Sequence, residues 1–218
     1  MLWFGMTAAP APQFLTRTVR PTHRNARGPA FLGDLSLAHA RAHELCGPAR
    51  RTLALMVARA LDGPVFWIAP AWGTDRLYPP AMRRWIDPGR VVFFDPKRPE
   101  DILWAMEETL RTGLVPLVVA DLPSPPGMTP VRRLHLAAET GAKASAPPLA
   151  LVLTPGTGGA PGIESRWALA PMHGAENRTA WRLDRRRART LPPAAWMVTV
   201  EGAHLTATPT TSEPHTTS

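Results

Sequence analysis

Apolar runs alternate with helix-like segments along the middle of the chain. Short continuous apolar runs are typical of strands that a parallel sheet buries on both faces. These runs are Leu45–Cys46, Val65–Ala69, Val91–Phe94, Leu117–Ala120 and Leu149–Leu153. Because segments with the periodicity of a helix separate them, the pattern over Arg41–Leu153 predicts βαβ units and a mainly parallel sheet.

The segments between these runs carry signals for where helices begin and end. One helix is predicted from Thr52, and a short one over Pro79–Trp85. Another is predicted over Pro99–Gly113, with proline and acidic residues at its start and glycine as its stop. The last is capped by Thr129 and ends before Gly141.

The pattern changes after Leu153. Three later segments, Ser165–Ala170, Trp181–Arg187 and Ala194–Glu201, alternate apolar and polar residues. Such alternation is typical of antiparallel strands that expose one face to solvent. The predicted fold class is therefore α/β: a mainly parallel sheet flanked by helices, with antiparallel strands added on its C-terminal side.

Composition indicates one domain between two tails. Residues 1–33 contain four arginines, four prolines and no acidic residue, which predicts a flexible basic arm. Residues 34–202 hold the regular pattern and form the predicted domain. Residues 203–218 are rich in Thr, Pro and Ser and are predicted to be disordered. With 218 residues and 44% hydrophobic content, the chain can bury one ordinary core.

The charge balance narrows the class of partner. The formal net charge is +8 and the isoelectric point is about 11.2, which favours nucleic acid or an acidic protein. No apolar run approaches the roughly 20 residues that span a bilayer, so no membrane segment is predicted. The single cysteine, Cys46, excludes an internal disulfide and fits a cytoplasmic protein. The histidines lack the spacing of zinc ligands, so no metal site is expected.

The segment after the first strand is similar in position to a phosphate-binding loop at the start of a helix. The P-loop motif is G-x-x-x-x-G-K-[ST], whereas this chain reads GPARRT from Gly47 to Thr52. If Thr52 supplied the magnesium-binding hydroxyl and Arg51 replaced the lysine, the loop would be two residues short and would lack its second glycine. Because a shorter loop presents fewer N–H groups to a phosphate, we expect that it does not enclose a triphosphate.

The strongest charge feature lies in the predicted strand Trp181–Arg187 and just after it. Its arginines are Arg182, Arg185, Arg186, Arg187 and Arg189. Such a surface binds DNA phosphates by releasing counterions and would equally suit an acidic patch on a protein. A solvated strand edge protected by charge is the third alternative. Trp72, in the loop after a predicted strand, is also a candidate for partner contact because tryptophan is enriched at interface hot spots.

The order of these parts resembles the RecA core over roughly Asp34–Glu201. RAHELCGP stands where that family has the strand before its Walker A loop, and VFWIAPAW where a strand ends near the catalytic glutamate. LVVAD stands at the Walker B strand, and LALVLTP at the strand that ends in a γ-phosphate-sensing glutamine. Within this superfamily the chain is most similar to the ImuA family, through WIAPAWGTDRLYPP, PEDILWAMEETLRTG and TAWRLDRRRAR followed by AAWMV.

The RecA resemblance implies a vestigial nucleotide site. The positions that match it are Gly47, Pro48, Arg51, Thr52 and Asp121. Ala71 falls where the water-activating glutamate should be, and Thr154 replaces the γ-phosphate glutamine. Because phosphoryl transfer needs positioning and charge neutralisation together, we expect no hydrolysis and no resident ATP–magnesium cofactor.

The ImuA resemblance implies a non-enzymatic accessory protein of SOS-induced, error-prone translesion DNA synthesis, located in the cytoplasm at the nucleoid. Its implied partners are the polymerase-related protein ImuB, an error-prone DNA polymerase III-type α subunit and RecA. DNA is a further implied contact, through the basic surface. A weak DNA-dependent ATPase of RecA type and a SulA-like inhibitor of the cell-division GTPase remain open as alternatives.

Overall fold

Eleven strands and four α-helices make up the part of the chain that the computed structural model describes, residues 28–172, 179–202 and 204–210. The strands are β1 (Ala30–Leu32), β2 (Leu35–Ser36), β3 (Ala42–Cys46), β4 (Val65–Ile68), β5 (Val91–Phe94), β6 (Leu117–Asp121), β7 (Leu149–Leu153), β8 (Ser165–Pro171), β9 (Ala180–Ala188), β10 (Ala194–Glu201) and β11 (His204–Thr210). The helices are α1 (Arg50–Arg59), α2 (Pro79–Met82), α3 (Pro99–Thr112) and α4 (Met128–Ala144).

One nine-stranded sheet runs through the molecule in the order β11-β10-β9-β8-β3-β7-β6-β4-β5. The six strands from β8 to β5 are parallel to one another. The last three strands in the sequence, β9, β10 and β11, are antiparallel to their neighbours. The predicted α/β class, with a mainly parallel sheet and antiparallel strands on the C-terminal side, is confirmed.

Both faces of the central parallel strands are covered, which explains their continuous apolar runs. On one face, α1 and the β1–β2 hairpin pack on Leu45, Trp67 and Leu151. On the other face, α3 and α4 pack on Ala42 and Val118. Every residue of β3, β6 and β7 is consequently buried.

Strand β8 differs from its prediction. It was expected to be antiparallel and half exposed, but it pairs parallel with β3 and only its partner β9 is antiparallel. Trp167 and Leu169 on one face and Ala168 on the other are buried. The alternation therefore reflects a change from large to small side chains rather than from core to solvent. The predicted antiparallel strands β9 and β10 are confirmed.

Strand β5 forms the free edge of the parallel part. It pairs with β4 alone among the described strands, and Val92, Phe93 and Phe94 are exposed. The apolar run predicted the strand correctly, but burial on both faces is wrong for this strand because no described element covers its outer side.

Helix boundaries follow the predictions with three corrections. Helix α2 ends at Met82, three residues before the predicted end at Trp85. Helix α1 begins at Arg50, two residues before Thr52. Helix α4 begins after Gly127 without a side-chain cap, so Thr129 is inside its first turn, and it continues to Ala144. Gly141, predicted as a stop, is a buried residue within α4. Gly113 does end α3, in a left-handed conformation with φ of 67°.

The folded part extends beyond both predicted boundaries of the domain. Phe31 and Leu32 of β1 are buried, so the basic arm cannot include residues 30–32. Strand β11 pairs with β10 along its whole length, so the tail is not disordered over residues 204–210. Leu205 and Ala207 pack against the core. This contact orders the strand in spite of the Thr-rich composition that predicted disorder. Residues 1–27 and 211–218, the rest of the predicted arm and tail, lie outside the described residues.

Within residues 28–172, 179–202 and 204–210, no helix has the length and apolar character needed to cross a membrane.

Candidate functional site

A shallow cavity of about 240 Å³ lies at the carboxyl edge of the sheet, where the parallel strands β3, β4 and β6 end. Ligands of open α/β sheets bind at this edge because the loops that leave the strands surround it. The residues that line the cavity include Arg50, Arg51, Trp72, Asp75, Arg76 and Asp121. Three of these, Arg51, Trp72 and Asp121, were candidates from the sequence.

The loop between β3 and α1 is only three residues long, Gly47 to Ala49. Gly47 has a φ of 84°, and a Cβ atom there would lie 2.7 Å from the carbonyl oxygen of Leu169. The N–H of Gly47 donates to the carbonyl of Gly156 at 3.0 Å, and the N–H of Ala49 donates to the carbonyl of Leu169 at 3.0 Å. Pro48 has no N–H. The loop therefore directs its backbone donors into the protein rather than toward a ligand.

Asp121, at the end of β6, is buried against two arginines from the start of α1. The Nε atom of Arg51 lies 2.5 Å from Oδ2, and Nη2 of Arg50 lies 3.5 Å from Oδ1. Arg51 also extends to Asp75, with Nη1 3.5 Å from Oδ2. The carboxylate of Asp121 is thus neutralised by two guanidinium groups of the protein itself.

The structure brings the five residues of the predicted nucleotide site to one edge of the sheet, but in an altered arrangement. Gly47 and Pro48 form the inward-turned loop, and Thr52 is half-buried in the first turn of α1. Arg51 is held by Asp121 rather than extended toward the cavity centre. Arg50 and Asp75 were not among the residues predicted for this site. The signal for Arg50 was that it adjoins Arg51, whose predicted site also contained the acidic residue Asp121.

A buried carboxylate that the sequence analysis missed organises the neighbouring loop. Glu44 of β3 is fully buried. It accepts hydrogen bonds from the Thr154 hydroxyl at 2.7 Å, from the N–H groups of Gly159 at 2.8 Å and Ala160 at 3.1 Å, and from Nε of Arg166 at 2.5 Å. Glu44 therefore ties the glycine-rich loop after β7 to the centre of the sheet. The sequence signal that could have identified Glu44 is the presence of an acidic residue in the otherwise apolar strand β3.

His43, the neighbour of Glu44 in β3, points to the opposite side of the sheet. The Ser165 hydroxyl accepts the indole N–H of Trp167 at 2.8 Å and donates to Nδ1 of His43 at 2.6 Å, while Nε2 donates to the carbonyl of Ala38 at 3.0 Å. Burial lowers the pKa of His43 to about 4, although the hydrogen bond to Ala38 opposes this change. The imidazole is neutral and fully hydrogen-bonded, which indicates a structural role.

The predicted arginines of β9 do not share one environment. Arg185 lies over the rings of Trp167 and Trp196, with its Cζ atom 5.6 and 5.2 Å from their centroids, and donates to the carbonyl of Pro192 at 3.0 Å. Burial lowers the pKa of Arg185. Arg185 therefore packs against the aromatic core, on the face of β9 that also carries the buried Trp181 and Leu183.

The remaining arginines of this cluster lie nearer to solvent. Arg182 pairs with Asp184 at 2.9 Å and Arg189 pairs with Glu164 at 3.3 Å. Arg186 donates to the carbonyl of Thr157 at 3.2 Å, and Arg186 and Arg187 are both exposed.

Comparison with known proteins leaves these sites to be interpreted from their own geometry, because no protein-family model and no curated protein matches the chain. Among the residues that the structure describes, no group of three or more His, Cys, Asp or Glu side chains is placed to hold a metal ion.

Proposed function

We propose that this chain is a RecA-like accessory protein of the ImuA type, which works through its surfaces in a DNA-damage-induced translesion synthesis complex. The observation that carries the proposal is the state of the β3–α1 loop. Its N–H groups are used by Gly156 and Leu169, and the nearby acid, Asp121, is neutralised by Arg50 and Arg51. A phosphate group bound here would find the N–H groups of Gly47 and Ala49 already engaged, and a magnesium ion would have to displace a guanidinium.

The recombinase-like part of the proposal is supported by the way the parts converge. Gly47, Asp121 and Thr154 follow or end the parallel strands β3, β6 and β7. Ala71 follows β4, which is parallel to β6. The positions that the resemblance assigns to nucleotide chemistry therefore lie at one edge of one sheet. Of the positions that the resemblance assigns to catalysis, Ala71 and Thr154 lack the required side chain and only Asp121 keeps it, so a binding role is the better account of the chain.

An exposed apolar surface on β5 is the contact that we assign to a protein partner. Val92, Phe93 and Phe94 are 51%, 45% and 37% exposed, and they stand on a strand whose outer edge has no described partner. Clustered exposed apolar side chains mark protein interaction sites, and an open strand edge offers backbone donors and acceptors to an extended segment. An ImuB-type protein or the polymerase III-type α subunit is the proposed partner.

Co-purification with an ImuB-type protein tests the proposal. We expect capture by the wild type and at least a tenfold loss with Phe93→Ser, whose side chain is already half exposed. The double variant Arg83→Ala, Arg84→Ala is the surface control, because both residues are exposed on another segment, and it should be captured like the wild type. Equal capture of all three proteins would remove β5 from the interface, and no capture of the wild type would contradict the partner.

A turnover assay separates the scaffold from an ATPase. We expect no ATP hydrolysis above background with DNA present, and no thermal shift with ATP and magnesium. DNA-dependent turnover that Thr52→Ala abolishes would contradict the proposal and favour the ATPase alternative.

A further inference from the structure

We propose that the side of β8 and β9 that faces α4 binds the phosphate backbone of duplex DNA. The surface, called here the arginine face, consists of Arg166, Arg182, Arg186 and Arg187. The inference extends the proposed accessory role to a direct contact with DNA, and it rests on the register of β9 and on the distribution of charge around it.

A β-bulge creates the arginine face. Arg187 pairs with Arg166 of β8, but Arg185 pairs with Trp167, so Arg186 is one extra residue in β9. Side chains directly opposite each other in an antiparallel pair lie on the same face. Arg187 therefore shares the face of Arg166, which is also the face of Arg182 opposite Ala170. Without the bulge, Arg182 and Arg187 would lie on opposite faces of the sheet.

The charges on this face are unequally compensated. Arg166 is neutralised by the buried Glu44, and Arg182 by Asp184. Arg186 donates to the carbonyl oxygen of Thr157 in the loop after β7, and it has no ion pair among the residues that the structure describes. Within the part of the chain that the structure describes, Arg187 has no ion pair. Two exposed, adjacent cations are thus available to an anion, with one of them already oriented.

The surroundings favour a phosphate backbone over an acidic protein. On this face β8 carries Ala168 and Ala170 beside Arg166, so large apolar anchors of the kind that dominate protein interfaces are lacking on this strand. The aromatic residues of the region, including Trp167 and Trp196, lie on the opposite side of the sheet with Arg185. Because base stacking needs aromatic rings at the surface, we infer contact with the backbone of a duplex rather than with the bases of a single strand.

Fluorescence anisotropy with the purified chain and a labelled 20-base-pair duplex tests this inference without any protein partner. We expect binding that weakens as salt is raised. Arg186→Ala, Arg187→Ala should reduce affinity about tenfold or more, and should lower the slope of log K against log [salt] by about 2, since each neutralised phosphate contributes about 0.9. The double variant Arg186→Gln, Arg187→Gln also removes both charges but keeps longer side chains than alanine, and it should lose affinity in the same way. A melting temperature equal to that of the wild type shows that each variant is folded.

The control has the same loss of charge at another place. Arg83→Ala, Arg84→Ala removes two adjacent exposed arginines and should leave affinity and salt slope close to those of the wild type. If both double variants lose affinity equally, net charge rather than the arginine face is responsible, and the inference fails. Absence of duplex binding by the wild type would also overturn it, and so would tighter binding of a single strand that the Arg186 and Arg187 changes leave intact. Capture of the ImuB-type partner is measured separately, so its loss contradicts the proposed function and leaves the DNA result standing.

Discussion

The guanidinium of Arg51 closes onto the carboxylate of Asp121, with Nε 2.5 Å from Oδ2. Arg51 comes from the first turn of α1 and Asp121 from the end of β6. The ion pair thus holds the start of α1 to the carboxyl edge of the sheet.

The Arg51–Asp121 contact should contribute to stability in a way that a double-mutant cycle can isolate. Asp121 is almost completely buried, whereas Arg51 is partly exposed. Removing the arginine leaves a buried carboxylate with Arg50 at 3.5 Å as its remaining cation. We expect Arg51→Ala to lower the free energy of unfolding by about 2 kcal/mol, and Arg51→Ala with Asp121→Asn to show a coupling energy of about 1 kcal/mol in urea titrations. Additive effects of the two changes would contradict the contact.

Stability should depend on pH through His43. Its pKa is about 4 in the folded protein, against about 6.5 when exposed. The unfolded chain therefore binds a proton between these values that the folded chain does not, so stability rises with pH across the window and is lost as pH falls from about 6.5 to about 4. The shift corresponds to a loss on the order of 3 kcal/mol.

Urea titrations from pH 7 to pH 4, together with a histidine NMR titration, measure this dependence. His43→Asn should be less stable at pH 7 and should show a flatter profile. Burial also lowers the pKa of His135, so His135→Asn is the control that separates the second contribution. A His43 resonance that titrates near pH 6.5 in the folded protein would contradict the prediction.

Glu44 should control the order of the loop after β7. Its carboxylate accepts the N–H groups of Gly159 and Ala160 and binds Arg166. Glu44→Gln keeps the size of the side chain but leaves the guanidinium of Arg166 without its counter-charge, and we expect a loss of about 3 kcal/mol. Hydrogen exchange at Gly159 and Ala160 should accelerate more than at the amides of β7.

The control for Glu44 is Glu139→Gln, because Glu139 also pairs with an arginine but its side chain is 39% exposed. Exposed pairs contribute about 0–1 kcal/mol, so this change should be nearly neutral. Equal losses in the free energy of unfolding for the two substitutions would show that the burial of Glu44 does not determine its contribution to stability.

The local pattern of the sequence was sufficient for the strands β4, β6 and β7, since each is a continuous apolar run whose burial on both faces follows from helices on either side. It was insufficient for three features that depend on contacts distant in sequence. The direction of β8 depends on β3, more than 100 residues earlier. The bulge at Arg186 depends on the register against β8, and the buried ion pairs of Asp121 and Glu44 depend on arginines from other elements.

The same limit explains the misassigned glycine of α4. Gly141 matched the pattern of a helix stop, but it lies where α4 meets the end of α3. A Cβ atom at Gly141 would lie 2.0 Å from the carbonyl oxygen of Leu110, and one at Gly113 would lie 2.2 Å from the carbonyl oxygen of Gly141. The glycine is needed for the approach of two backbones, which is a tertiary requirement that no local pattern contains.

Gly141→Ala should therefore destabilise the protein although alanine favours helices. The intrinsic gain for alanine in a helix is about 1 kcal/mol, but a backbone atom 2.0 Å away cannot yield as a side chain would, and the helices must separate. We expect a net loss of about 2 kcal/mol or more, as in overpacked cores, measured by urea unfolding. Gly127→Ala, at the position just before α4, is the control for replacing a glycine that has no close neighbour, since a Cβ atom there meets nothing within 4 Å. A neutral or stabilising Gly141→Ala would mean that α3 and α4 are not in close contact at this crossing, and that helix propensity alone decides the sign.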